Sequence, residues 1–105
     1  MTQNELLDAA RKKGTDKQFQ LWLRTQPSAI DGRMDYDPDT GQSWCDPCHY
    51  RTAMNSGTGC KPEYSAIPMT HAQHSEQHRI GQFNFQPREW WEAKTTLNLK
   101  RWIAS

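Results

Sequence analysis

The sequence predicts a small α+β fold with helices at both ends and two short strands followed by a helix in the middle. Apolar residues recur at helical spacing near both termini, whereas the middle alternates short extended segments with polar loops. Clear helix caps and breakers separate these segments. We expect one domain over 1–105, with N-terminal helices at 3–25, a core at about 43–80 and a C-terminal helix at 87–104.

The N-terminal helices are short and amphipathic. The first covers 3–13 and is capped by Thr2 or Asn4. The second runs from about Asp16, its expected N-cap, to Thr25. Their apolar faces indicate a scaffold role.

An acidic loop follows. Asp35, Asp37 and Asp39 are spaced as in a calcium loop, but Gly41 comes one place too late and Asp46 stands where a bidentate Glu is needed. The Asp-Pro-Asp-Thr-Gly run is typical of a type I turn that leads into a hairpin with glycine in a left-handed conformation. We therefore expect a turn.

The central unit is predicted to be strand, loop, strand and helix. The strands are expected at 43–50 and 64–68. Thr70 and Gln73 then form a capping box, and Gly81 stands where a helix-ending glycine belongs.

The C-terminal region begins with a short extended piece at 83–85. Pro87 is expected at the first position of the last helix, which runs to about Ala104. This helix carries three of the five Trp residues, which we expect in the core rather than as a stacking surface for nucleic acid. Any Trp left exposed would offer a homodimer contact.

Composition favours a metal-supported, intracellular protein. Apolar residues are only 34% of the chain, and small polar domains often need a metal or a partner for stability. No signal peptide or membrane-spanning segment is apparent, so we expect a cytoplasmic protein with reduced thiols. The net charge of +1 gives no strong nucleic-acid signature, although residues 47–105 carry seven basic and four acidic side chains.

All four His and all three Cys lie between Cys45 and His78. His74 and His78 are four residues apart on one helix, which places their Cβ atoms about 5–6 Å apart and suits two ligands of one metal ion. His71 lies on the same stripe. The strand–loop–strand–helix order would return His49 to this helix face. Solvated histidines without a function are the alternative.

Three segments, in order, carry a resemblance to a known family: His49-Tyr50-Arg51, Gly57-Thr58-Gly59-Cys60-Lys61-Pro62, and Ala66-Ile67-Pro68-Met69 onward to His78. The set resembles the HNH endonucleases (ββα-metal or His-Me finger superfamily), and is similar to small phage and prophage members related to the Ref recombination nuclease. The resemblance covers roughly 20–90. It implies a ββα-metal finger, two short antiparallel strands plus a helix, packed against flanking helices.

The resemblance implies a hydrolase that cuts DNA phosphodiester bonds as an endonuclease or nickase, with little sequence specificity, in phage recombination or DNA processing. His49 would be the general base, and His74 and His78 would hold one divalent metal ion. Cys48 stands where the family often has a further ligand. The metal would be Mg, Mn, Ni or Zn, with Zn favoured if the Cys48 thiolate is a ligand.

Other implied roles concern the substrate. Three basic residues are candidates to hold the phosphate backbone: Arg51, Lys61 and Arg79. Either Glu63 or Asn55 would orient His49. The expected partners are double- or single-stranded DNA and a phage or host recombination protein, in the cytoplasm of a bacterial host.

Many relatives also carry a structural zinc held by two Cys pairs. The four corresponding positions here are Ser28, Asp31, Thr70 and Gln73. Because all four lack Cys together, we expect no structural zinc there. The capping box anchors the helix instead, which is worth about 1 kcal/mol.

Three other interpretations remain open. Cys45-x-x-Cys48-His49 matches a c-type haem attachment motif, although that chemistry needs export. Cys45, Cys48, Cys60 and one His could instead form a structural zinc site in a binding module. Finally, a nuclease fold that no longer cuts could act as an inhibitor or assembly factor.

Overall fold

The computed structural model describes residues 2–52 and 63–105, which form an α+β fold as predicted. These residues contain five helices and one two-stranded antiparallel sheet. In chain order the elements are α1 (Gln3–Lys13), α2 (Asp16–Arg24), β1 (Asp46–His49), β2 (Ala66–Met69), α3 (His71–Ile80), α4 (Gln82–Phe85) and α5 (Arg88–Ala104).

Three helices begin with a capping box, in which a threonine and the residue three places later each bond the other's backbone N–H. The expected cap at Thr2 and the expected Thr70–Gln73 box are confirmed. The N-cap of α2 is Thr15, so the expectation of Asp16 was wrong. Asp16 is the first helical residue, and its carboxylate accepts a hydrogen bond from the backbone of Tyr64 at 2.8 Å.

The sheet is shorter than predicted and contains two prolines. Pro47 of β1 lies opposite Pro68 of β2, and His49 lies opposite Ala66. Since proline has no N–H, this central pair occupies a place where the backbone groups point away from the partner strand. The outward carbonyl of Pro68 accepts a hydrogen bond from Ala29 N at 2.9 Å. Pro68 therefore lies inside β2 rather than at its end.

Helix α5 connects two hydrophobic clusters. One joins α1, α2 and α5 around Phe19 and Trp102, whose rings are 5.8 Å apart. The other joins the sheet and α5 around Ile67 and Trp91. The expectation that the Trp residues of the last helix are core is confirmed for Trp91 and Trp102, and Trp90 is half-buried. No Trp of α5 is therefore exposed for a dimer contact.

Two local expectations differ from the structure. The segment predicted to be extended at 83–85 belongs to the short helix α4. Helix α5 contacts the backbone of α4, because Trp91 Nε1 of α5 donates a hydrogen bond to the carbonyl of Gln82 at 2.9 Å. Pro87 is the N-cap of α5 rather than its first residue.

The acidic loop forms the predicted turn. Tyr36 and Ser43 pair as an isolated antiparallel bridge, Asp39 N donates to Asp37 Oδ1 at 2.8 Å, and Gly41 has φ 73. No helix within residues 2–52 and 63–105 has the length and apolar character needed to cross a membrane.

Candidate active site

Helices α2 and α3 both contact β1, and residues of all three elements line a cleft of about 500 Å³. We call it the His cleft. It is lined by Gln20, Arg24, Asp46, Pro47, His49, Arg51, His74 and His78. Four residues predicted as site residues from the sequence, His49, Arg51, His74 and His78, thus line one cavity.

His74 and His78 face each other across one turn of α3. Their Nε2 atoms are 3.0 Å apart, and their ring centroids are 4.7 Å apart. The side chain of His74 is half-buried, and His78 is exposed. Two imidazole nitrogens bound to one ion at about 2.0–2.1 Å would be separated by roughly 3 Å. The spacing of this pair therefore fits two ligands of a single metal ion.

Asp46 connects α3 to β1. Its Oδ2 lies 3.0 Å from His74 Nδ1, and its Oδ1 lies 2.7 Å from His71 Nδ1. His71 in turn donates its backbone N–H to Asp35 Oδ2 at 2.8 Å. This hydrogen bond is the main cause that lowers the pKa of Asp35 below its usual value. Neither Asp46 nor His71 had a predicted role at the site. Asp46 nevertheless contacts His74, and His71 contacts Asp46.

Cys48 lies away from the His cleft. Side chains alternate along a strand, so Cys48 and His49 point to opposite faces of β1. The Cys48 thiol is buried 3.3 Å from Gln77 Oε1. Burial, with a smaller contribution from Asp46, raises its pKa to about 12, which keeps it protonated. The structure thus does not bring the expected third ligand to the histidine pair.

The thiols of the Cys-x-x-Cys motif also have different surroundings. Cys45 is buried with its sulfur 3.8 Å from Met34 Sδ, and burial raises the pKa of this thiol too. Cys60, the third thiol of the alternative zinc interpretation, lies outside the described residues.

Two arginines line the His cleft. Arg51 is exposed, and its backbone forms two hydrogen bonds with the Gln82 side chain. Gln82 Oε1 accepts from Arg51 N at 2.8 Å, and Gln82 Nε2 donates to Arg51 O at 2.7 Å. Arg24 reaches the cleft from α2, with its guanidinium 4.7 Å from the centre of the Trp44 ring and 3.9 Å from Asp46 Oδ1. Sequence reasoning missed Arg24 because its position depends on how α2 packs beside β1.

The other candidate residues lie elsewhere. Arg79 is exposed and paired with Glu76 on the same helix, and this bond raises the pKa of Arg79. Glu63 lines a different groove, between α1 and α5, and not the cleft that contains His49. Lys61 and Asn55 lie outside the described residues.

The four positions at which the sequence resemblance would place a structural zinc meet in space. Gln73 Oε1 accepts from Ser28 Oγ at 2.6 Å and from Thr70 N at 3.0 Å, and Gln73 Nε2 donates to Asp31 Oδ2 at 3.0 Å. Ser28 is buried. We call this group the polar clasp. It joins the loop after α2 to the start of α3, and therefore helps to hold the helix that carries the histidine pair.

Within residues 2–52 and 63–105, no group of three or more His, Cys, Asp and Glu side chains is arranged to hold a metal ion. The arrangement offers two imidazoles in place of a complete ligand set. Comparisons with family models, curated proteins and solved structures found no match to this chain.

Proposed function

We propose that the protein is a metal-dependent hydrolase of DNA phosphodiester bonds, an endonuclease or nickase of the HNH type built on a ββα-metal finger. The observation that carries this proposal is the convergence of His49, Arg51 and the His74–His78 pair on one cleft. The order of two antiparallel strands followed by α3 also supports it.

His74 and His78 would hold one divalent cation through their Nε2 atoms, with water and phosphate oxygens as the remaining ligands. When bound, the cation supplies positive charge that polarises the scissile phosphate and stabilises the leaving oxygen. Mg and Mn commonly keep several waters, and Ni and Zn accept imidazole well, so all four metals suit a two-histidine site. Because the Cys48 thiol is buried in the core, it does not favour Zn over the other metals at this site.

His49 lines the same cleft and would accept a proton from the attacking water. Imidazole suits this role because it exchanges protons near neutral pH. Arg24 and Arg51 would hold the phosphate from α2 and from the end of β1. The Arg24 guanidinium lies over the Trp44 ring, so this cation is partly ordered before substrate arrives. Gln82 fixes the backbone of Arg51, and the exposed side chain of Arg51 remains able to move toward the phosphate.

Contacts of this kind address the backbone and not the bases. We therefore propose little sequence specificity, with double- or single-stranded DNA as substrate. A role in phage recombination or DNA processing, beside a phage or host recombination protein, belongs to the same proposal and comes from the family resemblance.

A plasmid-nicking assay tests the proposal. Supercoiled plasmid and circular single-stranded DNA are incubated with the protein and Mg, Mn, Ni or Zn. We expect His49→Ala to lower the cleavage rate by about 10²–10⁴-fold, as loss of a general base does. Folding should be unchanged by circular dichroism. No cleavage with any of the four metals would refute the proposed activity.

Two arginine variants provide a matched comparison. Arg51→Ala removes a cation from the His cleft, whereas Arg79→Ala removes one that is already paired with Glu76 outside it. We expect Arg51→Ala to weaken DNA binding and flatten its salt dependence, and Arg79→Ala to leave both nearly unchanged. Equal effects would argue against the cleft as the DNA site.

The alternative is a structural zinc-binding module or an inactive nuclease fold that binds nucleic acid or a protein partner. The burial of the Cys48 thiol and the presence of only two imidazoles at the pair favour the inactive form. DNA binding that survives His49→Ala, without cleavage by the wild type, would select this alternative.

A further inference from the structure

Two carboxylates and three imidazoles form a line from the acidic loop to the His cleft. Its members are Asp35, His71, Asp46, His74 and His78, and it begins with His71 Nε2 at 3.4 Å from Asp35 Oδ2. Asp46 is the central one, because each of its two oxygens contacts a different imidazole Nδ1, at 2.7 Å for His71 and 3.0 Å for His74.

These contacts restrict where the protons sit. An ionised carboxylate only accepts hydrogen bonds, and a neutral imidazole carries one N–H and one lone pair. Both Nδ1 atoms that face Asp46 must therefore carry the hydrogen. For His74 this leaves the lone pair on Nε2, the atom that lies 3.0 Å from His78 Nε2.

We propose that Asp46 is a positioning residue that fixes His74 in the Nδ1–H tautomer and so presents its Nε2 lone pair to a metal ion. The function of this lone pair depends on the activity proposed above, but the tautomer itself does not. His71 and Asp46 act together, since His71 occupies the carboxylate oxygen that His74 does not use.

The two members of the histidine pair then differ in freedom. His74 is half-buried and held by Asp46, so its tautomer is set by the fold. His78 is exposed, and water can exchange its proton between the two ring nitrogens. Without metal, His78 donates Nε2–H to His74 Nε2, and metal binding needs a tautomer change at His78 alone.

Asp46→Asn tests this directly. An amide side chain has one acceptor atom and one donor atom, so it cannot accept from two imidazoles as the carboxylate does. One of the two histidines must then turn a lone pair toward residue 46 and move its hydrogen to Nε2. Adding His71→Ala removes the competitor and frees the amide oxygen for His74.

Long-range ¹H–¹⁵N spectra of the metal-free protein, at a pH where the imidazoles are neutral, report each tautomer. We expect Nδ1–H for His74 in the wild type, a shift toward Nε2–H at His71 or His74 in Asp46→Asn, and Nδ1–H for His74 in Asp46→Asn/His71→Ala. Asp39→Asn, an equal charge change in the exposed turn, should leave both histidines unchanged. Either Nε2–H for His74 in the wild type or no tautomer change at His71 and His74 in Asp46→Asn would overturn the proposal, and the wild-type result needs no variant to fold.

Calorimetric titrations with Mg²⁺, Mn²⁺, Ni²⁺ and Zn²⁺ separate the two proposals. Asp46→Ala removes the acceptor of His74 Nδ1 altogether. Loss of a residue that orients a metal-binding histidine typically weakens metal affinity by about 10–100-fold, and we expect this for Asp46→Ala. If the wild type and Asp46→Ala bind a metal ion equally, the positioning role is refuted while the metal site stands. If the wild type shows the Nδ1–H tautomer but binds none of the four metals, the proposed activity fails and the hydrogen-bonding assignment of Asp46 stands.

Discussion

Replacing Gln73 with alanine tests whether the polar clasp holds α3 in place. The change removes the acceptor of Ser28 Oγ and Thr70 N and the donor to Asp31 Oδ2. Alanine is a good helix former, so the helix itself should not suffer. Any loss of stability then measures the clasp.

The magnitude follows from burial. Ser28 is only 4% exposed, so its hydroxyl would lose its partner away from water, which costs about 1–3 kcal/mol. The N–H of Thr70 at the helix start loses a bond worth about 1 kcal/mol. The contact with Asp31 is at the surface and is neglected. We therefore expect Gln73→Ala to lower the free energy of unfolding by about 2–4 kcal/mol.

Urea denaturation followed by circular dichroism measures this as a lower midpoint at an unchanged slope. Gln3→Ala, an exposed glutamine at the start of α1, should change stability by no more than about 0.5 kcal/mol. Ser28→Ala should cost less in the Gln73→Ala background than in the wild type, because the two side chains share one bond. A Gln73→Ala protein as stable as the Gln3→Ala control, or fully additive losses, would refute the reasoning.

Three further outcomes are expected. Cysteine at all four positions of the polar clasp should create a site that binds one Zn²⁺ per chain, since the four positions are in contact and are spaced as two Cys-x-x-Cys pairs. Mass spectrometry under native conditions measures the bound zinc. A variant that stays zinc-free would contradict this prediction. Cys48 should resist iodoacetamide in the native protein and react after unfolding. Because its pKa rises from 9.0 to about 12 on folding, its contribution to stability is present below pH 9.0 and is lost as the pH rises toward 12, and Cys48→Ala should remove this alkaline loss. The pKa of Asp35 is lowered from 3.8, so its contribution is present above that pH and is lost on further acidification through the folded value; a stability curve of Asp35→Asn that keeps the full acid loss would argue against it.

Local signals accounted for the parts of the fold that were predicted well. The Thr70–Gln73 box and Gly81 defined both ends of α3, because caps involve residues within one helical turn. The spacing of His74 and His78 likewise guaranteed that they would be neighbours on that helix.

The remaining parts depend on packing. The roles of Asp46 and Arg24 depend on how α2 and α3 pack against β1. No spacing in the sequence predicts that these two residues lie close together. The helical conformation of 83–85 was not predicted, and one contact that supports it, from Trp91 Nε1 to the carbonyl of Gln82, comes from α5. The orientation of Cys48, in contrast, could have been predicted from the sequence. Side chains alternate along a strand, so Cys48 and its neighbour His49 point to opposite faces.

The two prolines that face each other in the sheet also affect how the protein behaves in concentrated solution. A two-stranded sheet has two open edges, and a strand from another molecule can attach to the N–H groups exposed along them. Pro47 and Pro68 occupy the middle of the two strands at places where those donors would point outward. Since neither residue has a donor, each edge is interrupted at its centre, and the carbonyl of Pro68 is already occupied by Ala29. The short sheet that supports the His cleft is thereby protected against strand-by-strand aggregation.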